Sequence, residues 1–179
     1  MKLTAKKIPD EFIRAIPRGF RLVNKKGHDY LLVESLFCPN GHNLIVDSVR
    51  IHGESSIKLQ AVVNQQSGFL FVDAFWGSHS KLFSFIPRIS EKGSVYVEIH
   101  CPYCNAEMME QYSCAQKGCG SEKGVVLLLP GGKNKIHVCA RLGCPGHVLD
   151  TKDLPARLAR SVSVINYFGA GPEDPFGGI

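Results

Sequence analysis

Long apolar runs are missing from this chain, and none approaches the roughly 20 residues that a membrane-spanning helix needs. The opening residues, MKLTAKKIPDEF, have no apolar stretch of the kind a signal peptide carries, so the expected location is the cytoplasm. In a reducing compartment, cysteines serve as metal ligands or reactive thiols more often than as disulfides. The usual catalytic signatures are missing as well. There is no G-x-S-x-G, H-E-x-x-H, Walker A loop or G-x-G-x-x-G. The deaminase pattern of H-x-E followed by P-C-x-x-C is also absent, and His100-Cys101-Pro102-Tyr103-Cys104 is only superficially like its second half. These absences weigh against an enzyme. Neither low hydrophobicity nor excess charge argues for disorder, since 44% of residues are hydrophobic and 21% charged.

The net charge of +5 is unevenly placed. Up to residue 26 there are Lys2, Lys6, Lys7, Arg14, Arg18, Arg21, Lys25 and Lys26 against Asp10 and Glu11, while the rest of the chain is close to neutral. Such an arm either solvates the chain or meets an acidic partner such as nucleic acid. Only Phe12 and Phe20 interleave with these bases, which favours solvation.

Seven cysteines and one suitably placed histidine form four short pairs: Cys38 with His42, Cys101 with Cys104, Cys114 with Cys119, and Cys139 with Cys144. Tetrahedral zinc takes four N or S ligands, commonly as two such pairs. Eight ligands make two sets of four and leave no cysteine over. One set is Cys38, His42, Cys101 and Cys104. The other is Cys114, Cys119, Cys139 and Cys144, spaced C-x4-C-x19-C-x4-C around a hairpin expected from Val125 to Val138. This second stretch resembles a zinc ribbon over about 114–144, which implies a fold module and no particular function. Two zinc ions per chain are the expected cofactors. Spacing alone does not separate zinc from iron, nor sequential from interleaved pairing of the knuckles. His147 in C-P-G-H could stand in for a thiolate, because the tetrapeptide echoes Cys38-Pro39-Asn40-Gly41-His42. His100 and His137 adjoin ligand cysteines but should point to the opposite strand face. His28, His52 and His79 fall outside any ligand spacing and read as surface residues.

Four zones follow. Residues 1–28, broken by Pro9, Pro17, Gly19 and Gly27, read as a basic arm with at most one helical turn near Asp10–Ile16. Residues 29–104 read as an antiparallel β domain closed by the first site, with strands expected at 30–37, 44–51, 57–63, 69–75, 81–86 and 95–99. The turns between them include Glu91-Lys92-Gly93. Residues 105–149 hold the ribbon and the second site. Residues 150–179 read as a helix to about 168, capped by Asp153 and presenting Leu158, Val162 and Ile165 on one face, followed by a Gly/Pro-rich tail. The expected fold is mainly β, an antiparallel sandwich or small barrel with zinc-ribbon knuckles and a short C-terminal helix.

Phe69, Phe71 and Phe75 share one side of a period-two strand and read as core, with a ligand-stacking platform as the alternative. The functional expectation is a protein-interaction or adaptor module with two structural metal sites and an unidentified protein partner, its surface drawn from the aromatic strands or from 161–179. A nucleic-acid-binding zinc ribbon is the second reading, without membrane contact. Cys101-Pro102-Tyr103-Cys104 is similar to the glutaredoxin active site, and that resemblance implies thiol exchange with Cys101 attacking and Cys104 resolving.

Overall fold

Valine, isoleucine and phenylalanine in alternation dictate extended chain through most of the molecule. The computed structural model describes residues 7–89 and 94–167. Lys2, Lys6, the Glu91-Lys92-Gly93 turn, Phe168 and the Gly/Pro tail lie outside the described residues. Within them the order is α1 (Asp10–Ile13), β1 (Phe20–Lys25), β2 (His28–Val33), β3 (Ile45–Ile51), β4 (Glu54–Val63), β5 (Gln66–Asp73), β6 (Lys81–Phe83) and β7 (Glu98–His100). Then come β8 (Met109–Gln111), β9 (Lys123–Leu128), β10 (Lys135–Cys139), β11 (His147–Asp150) and α2 (Ala156–Ser163).

The strands form three antiparallel sheets: a β1–β2 hairpin, a β11-β10-β9-β8 meander, and a sheet in the order β3-β4-β5-β6 to which β7 adds on β4. The fold is thus mainly β, and no barrel closes among the described residues. β4 shows the governing period. Ile57, Leu59, Ala61 and Val63 are buried, while Lys58, Gln60 and Val62 between them are partly exposed. One core cluster draws on Leu59 and Leu70 of the five-stranded sheet, Leu127 and Ile136 of the meander, and Phe12 and Phe20 near the N-terminus. It therefore crosses the zone boundary expected at 104.

The N-terminal stretch departs from the expectation of a solvated arm. Residues 20–25 form a strand paired with β2, in the register Leu22 to Leu31, and Ile8, Phe12 and Phe20 are buried. Burying a phenylalanine contributes on the order of 1.5–3 kcal/mol, enough to fold the stretch back despite its charges. Two of its bases find partners inside the fold. Arg21 donates to Glu54 at 2.9 Å, and Lys25 donates to the His52 carbonyl and lies over the Phe75 ring.

The C-terminal helix is shorter than expected and spans Ala156–Ser163, starting only after Pro155. Asp153 does not cap it. Pro155 holds the N-cap position, and Asp153 instead accepts from Asn134 Nδ2 at 2.6 Å. Leu158, Val162 and Ile165 are buried as the apolar face predicts. Beyond the helix the chain packs on its own core: Trp76 Nε1 donates to the Val162 carbonyl, and Tyr167 N donates to the Gly77 carbonyl. A side chain at Gly77 would meet the Ile165 carbonyl at 2.7 Å, so this close approach requires glycine. No helix among the described residues is long and apolar enough to cross a membrane.

Candidate metal centres

β4 explains how residues 38–42 and 101–104 meet. One edge of β4 pairs with β3 through Ile57 and, a few residues on, with β7 through Gln60 to His100. The knuckle that precedes β3 and the knuckle that follows β7 therefore reach the same stretch of that edge. Lys58 N donates to the Leu44 carbonyl across it at 2.8 Å. Each knuckle is a tight turn whose amides face sulfur. His42 N and Tyr103 N lie 3.4 Å from Cys38 Sγ and Cys101 Sγ respectively. Gly41 and Asn105 supply the positive φ these turns need.

The ligand atoms of Cys38, His42, Cys101 and Cys104 all lie within 4.8 Å of one another. Cys38 Sγ is 3.9 Å from Cys104 Sγ, and His42 Nδ1 is 3.4 Å from Cys38 Sγ and 4.0 Å from Cys101 Sγ. Around a zinc ion with Zn–S near 2.3 Å and Zn–N near 2.0–2.1 Å, tetrahedral edges are about 3.8 Å for S–S and about 3.5 Å for S–N. The site fits those dimensions. Asn40 Nδ2 donates to Cys104 Sγ at 3.4 Å, and the N–H of Ala106 helps hold the Cys104 thiol down at about 6. Burial pushes the Cys101 thiol up instead.

The second group lies at one end of the meander, where the β8–β9 and β10–β11 connections adjoin. Cys114, Cys119, Cys139 and Cys144 again fall within 4.8 Å, with Cys114 to Cys144 and Cys119 to Cys139 both at 3.7 Å. Gly146 N points at Cys144 Sγ, and the Gly146 carbonyl accepts from Cys139 N at 2.8 Å. A Cβ at Gly146 would stand 2.6 Å from Cys114 Sγ, so the thiolate cradle closes over a bare backbone. Burial raises the Cys114 thiol to about 11 and raises Cys144 as well. Burial also acts on Cys119, but the Ser121 N–H and the neighbouring thiols outweigh it and bring that thiol to about 7. Each group could hold one metal ion, and four sulfurs left without one would oppose sharing negative charge.

His147 is not among these ligands. It pairs with Val138 in the register, which puts it on the face opposite Cys139. Its Nδ1 lies 3.1 Å from the Pro145 carbonyl, and its ring meets Trp76 edge-on at 4.5 Å. Burial lowers its pKa to about 4. His79, expected at the surface, sits beside it at 5.2 Å, and burial followed by the His147 charge lowers its pKa to about 3. His52, also expected at the surface, is buried against Asp73 at 2.6 Å. Asp73 further accepts from Ser78 Oγ and Phe75 N, so the serine bonds the carboxylate rather than the histidine. That arrangement braces a turn and does not activate a nucleophile. His28 is exposed as expected, and His137 pairs with Glu110 under a stacked Tyr112 ring.

Cys101-Pro102-Tyr103-Cys104 sits in the tight connection between β7 and β8, closed by Cys101 N to the Ala106 carbonyl and by Met108 N to the Ile99 carbonyl. A strand follows the motif where a glutaredoxin-like thiol would need a helix N-terminus. Phe75 lies past the end of β5 and is 1% exposed, so it leaves the aromatic row, while Phe69 and Phe71 share the outer face. Lys81 was not singled out by the sequence. It points inward from the edge strand β6, and burial lowers its pKa. Its alternation with His79 around Ser80 was the available signal. The chain matches no known family model, no curated protein and no solved structure.

Proposed function

We propose that this chain is a zinc-stabilised β protein whose two ions are structural and whose role is to bind a protein partner. The observation that carries the reading is the closure of both donor sets. Each has four protein ligands at tetrahedral spacing, and a catalytic zinc needs a position left for water. Three thiolates with one imidazole in the first set, and four thiolates in the second, are also the donor chemistry of structural zinc.

The surface offered to a partner is the outer face of the five-stranded sheet. Phe71 and Leu82 are register partners there, with Phe69 beside them at 6.4 Å from Phe71 between ring centroids, and Leu82 is 45% exposed. Apolar side chains grouped on a solvent-facing sheet suit a protein contact. Nucleic-acid binding draws less support, because Arg21 and Lys25 are engaged within the fold.

Elemental analysis joined to alkylation tests the metal assignment. Two zinc ions per colourless chain are expected, with Cys101 and Cys104 slow toward iodoacetamide until a chelator is added. Cys38 should become reactive in the same step. A red iron protein, or rapid labelling of Cys101 alone with metal bound, would replace this reading with a redox one.

A further inference from the structure

The inner face of the five-stranded sheet does not close fully on the meander. A cavity of about 130 Å³ lies between them, lined by Leu59, Leu70 and Phe83 on one side and by Leu127 and Ile136 on the other. Close-packed interiors hold few cavities of this size, because lining atoms lose dispersion contacts wherever nothing faces them. An apolar cavity of about 150 Å³ accepts benzene, so a ring of that size is the natural measure here.

What the cavity can hold is decided by its polar side chains, and each of these already has a partner within the protein. Asp73 is met by His52 at 2.6 Å, by Ser78 Oγ at 2.5 Å and by the Phe75 amide. Trp76 Nε1 donates to the Val162 carbonyl, and His79 Nε2 lies 3.0 Å from Asn166 Oδ1. His147 bonds the backbone of both Pro145 and Ile165. Arg141 donates to the Cys119 carbonyl at 2.6 Å, and Lys81 is attracted to the sulfur of Cys144. Cys139 and Cys144 turn toward Cys119 and Cys114, 3.7 Å away in each case. A buried water needs about two to four polar partners, which this wall does not offer. A hydroxyl or carboxylate entering the cavity would likewise give up its hydration for no replacement.

The geometry points to a binding site for a small, uncharged, wholly apolar molecule of about six or seven carbons, held by contact with the aliphatic wall alone. The site is separate from the outer sheet face offered to a protein partner. Leu59 and Leu70 turn inward from the same strands that carry Lys58, Phe69 and Phe71 outward, so one sheet serves both.

Trp76 is the single tryptophan and lines the cavity, so its emission reports occupancy in the full-length, metal-loaded protein. Toluene, phenol and benzoate are the probes, alike in ring and different in what the ring carries. Toluene should bind saturably with a Kd on the order of 1 mM, well within what so small a molecule can reach. Phenol, of nearly the same size, should bind about tenfold more weakly, because its hydroxyl finds no free partner. Benzoate should give no saturable change. In Leu70→Phe the larger side chain takes up part of the space, and toluene affinity should fall about tenfold. Phenol binding as tightly as toluene, saturable binding of benzoate, or no saturable toluene signal in the wild type would each overturn the proposal. Full toluene affinity in a folded Leu70→Phe would do the same. The wild-type series decides the matter even if the variant does not fold.

Discussion

Gly146→Ala is the sharpest single perturbation of the second centre. Gly146 is not among the positive-φ glycines, so the added methyl costs little in backbone strain. What it meets is sulfur: Cys114 Sγ at 2.6 Å, with Gln116 Cγ and Cys139 Cβ at 3.2 and 3.3 Å. Ordinary contact begins at 3.4 Å, so Cys114 or the 144–147 turn must move. A thiolate held by a metal cannot swing away as a free side chain would. The same shift disturbs the Gly146 amide that faces Cys144 Sγ and the carbonyl that anchors Cys139 N. Changes just outside a ligand set typically cost 10–100-fold in metal affinity, or about 1.4–2.8 kcal/mol. Competition against a chromophoric chelator should therefore release one zinc of the two earlier, leaving the Cys38 centre at wild-type affinity. If Gly146→Ala holds both ions as tightly as the wild type, the four sulfurs do not converge on a metal as described.

Two further outcomes follow from the same geometry. A photo-crosslinking residue at position 82, in cells, should trap a protein partner that the same residue at exposed Lys133 does not; equal trapping at both sites would remove the outer sheet face as the docking surface. His147 is neutral when folded, with its pKa lowered from 6.5 to about 4, so the unfolded chain binds more protons between those values. Its contribution to stability is complete above pH 6.5 and is lost as pH falls toward about 4. Denaturant unfolding at saturating zinc should show a shallower acid slope in His147→Gln than in the wild type, and parallel slopes would contradict the buried neutral ring.

The ligand pairs were readable because metal chemistry imposes short spacings that survive any fold. Their grouping into two sets was expected as well, and the tertiary fact that brings the first set together is that β3 and β7 share an edge of β4. β1 was hidden because Arg21, Asn24 and Lys25 interrupt Leu22 and Val23, and the alternation shows only once β2 lies alongside. β11 went unread within the ribbon zone because four residues are too few to show a period. The inward turn of Lys81 and the outward face of Phe69 and Phe71, read as core, were illegible for a related reason. Which face of a strand is buried depends on register, and a shift of one residue exchanges the two faces. Asp153 met the usual preference for a capping residue, but Asn134 competed for its carboxylate.

The first centre takes its halves from before β3 and after β7, so an ion held there would act on the chain as a crosslink. Joining residues 38 and 101 closes a loop that in the unfolded chain would cost on the order of 4 kcal/mol in lost freedom, against about 3 for the shorter loop between Cys119 and Cys139. The cost falls on the disordered chain, so such an ion would stabilise the sheet while touching none of its hydrophobic contacts. The order of assembly follows as well. The pair from 101–104 can reach 38–42 only after both β3 and β7 have found β4, so this centre closes late, as a latch on a finished sheet. The second centre spans a single β9–β10 hairpin and is free to form early.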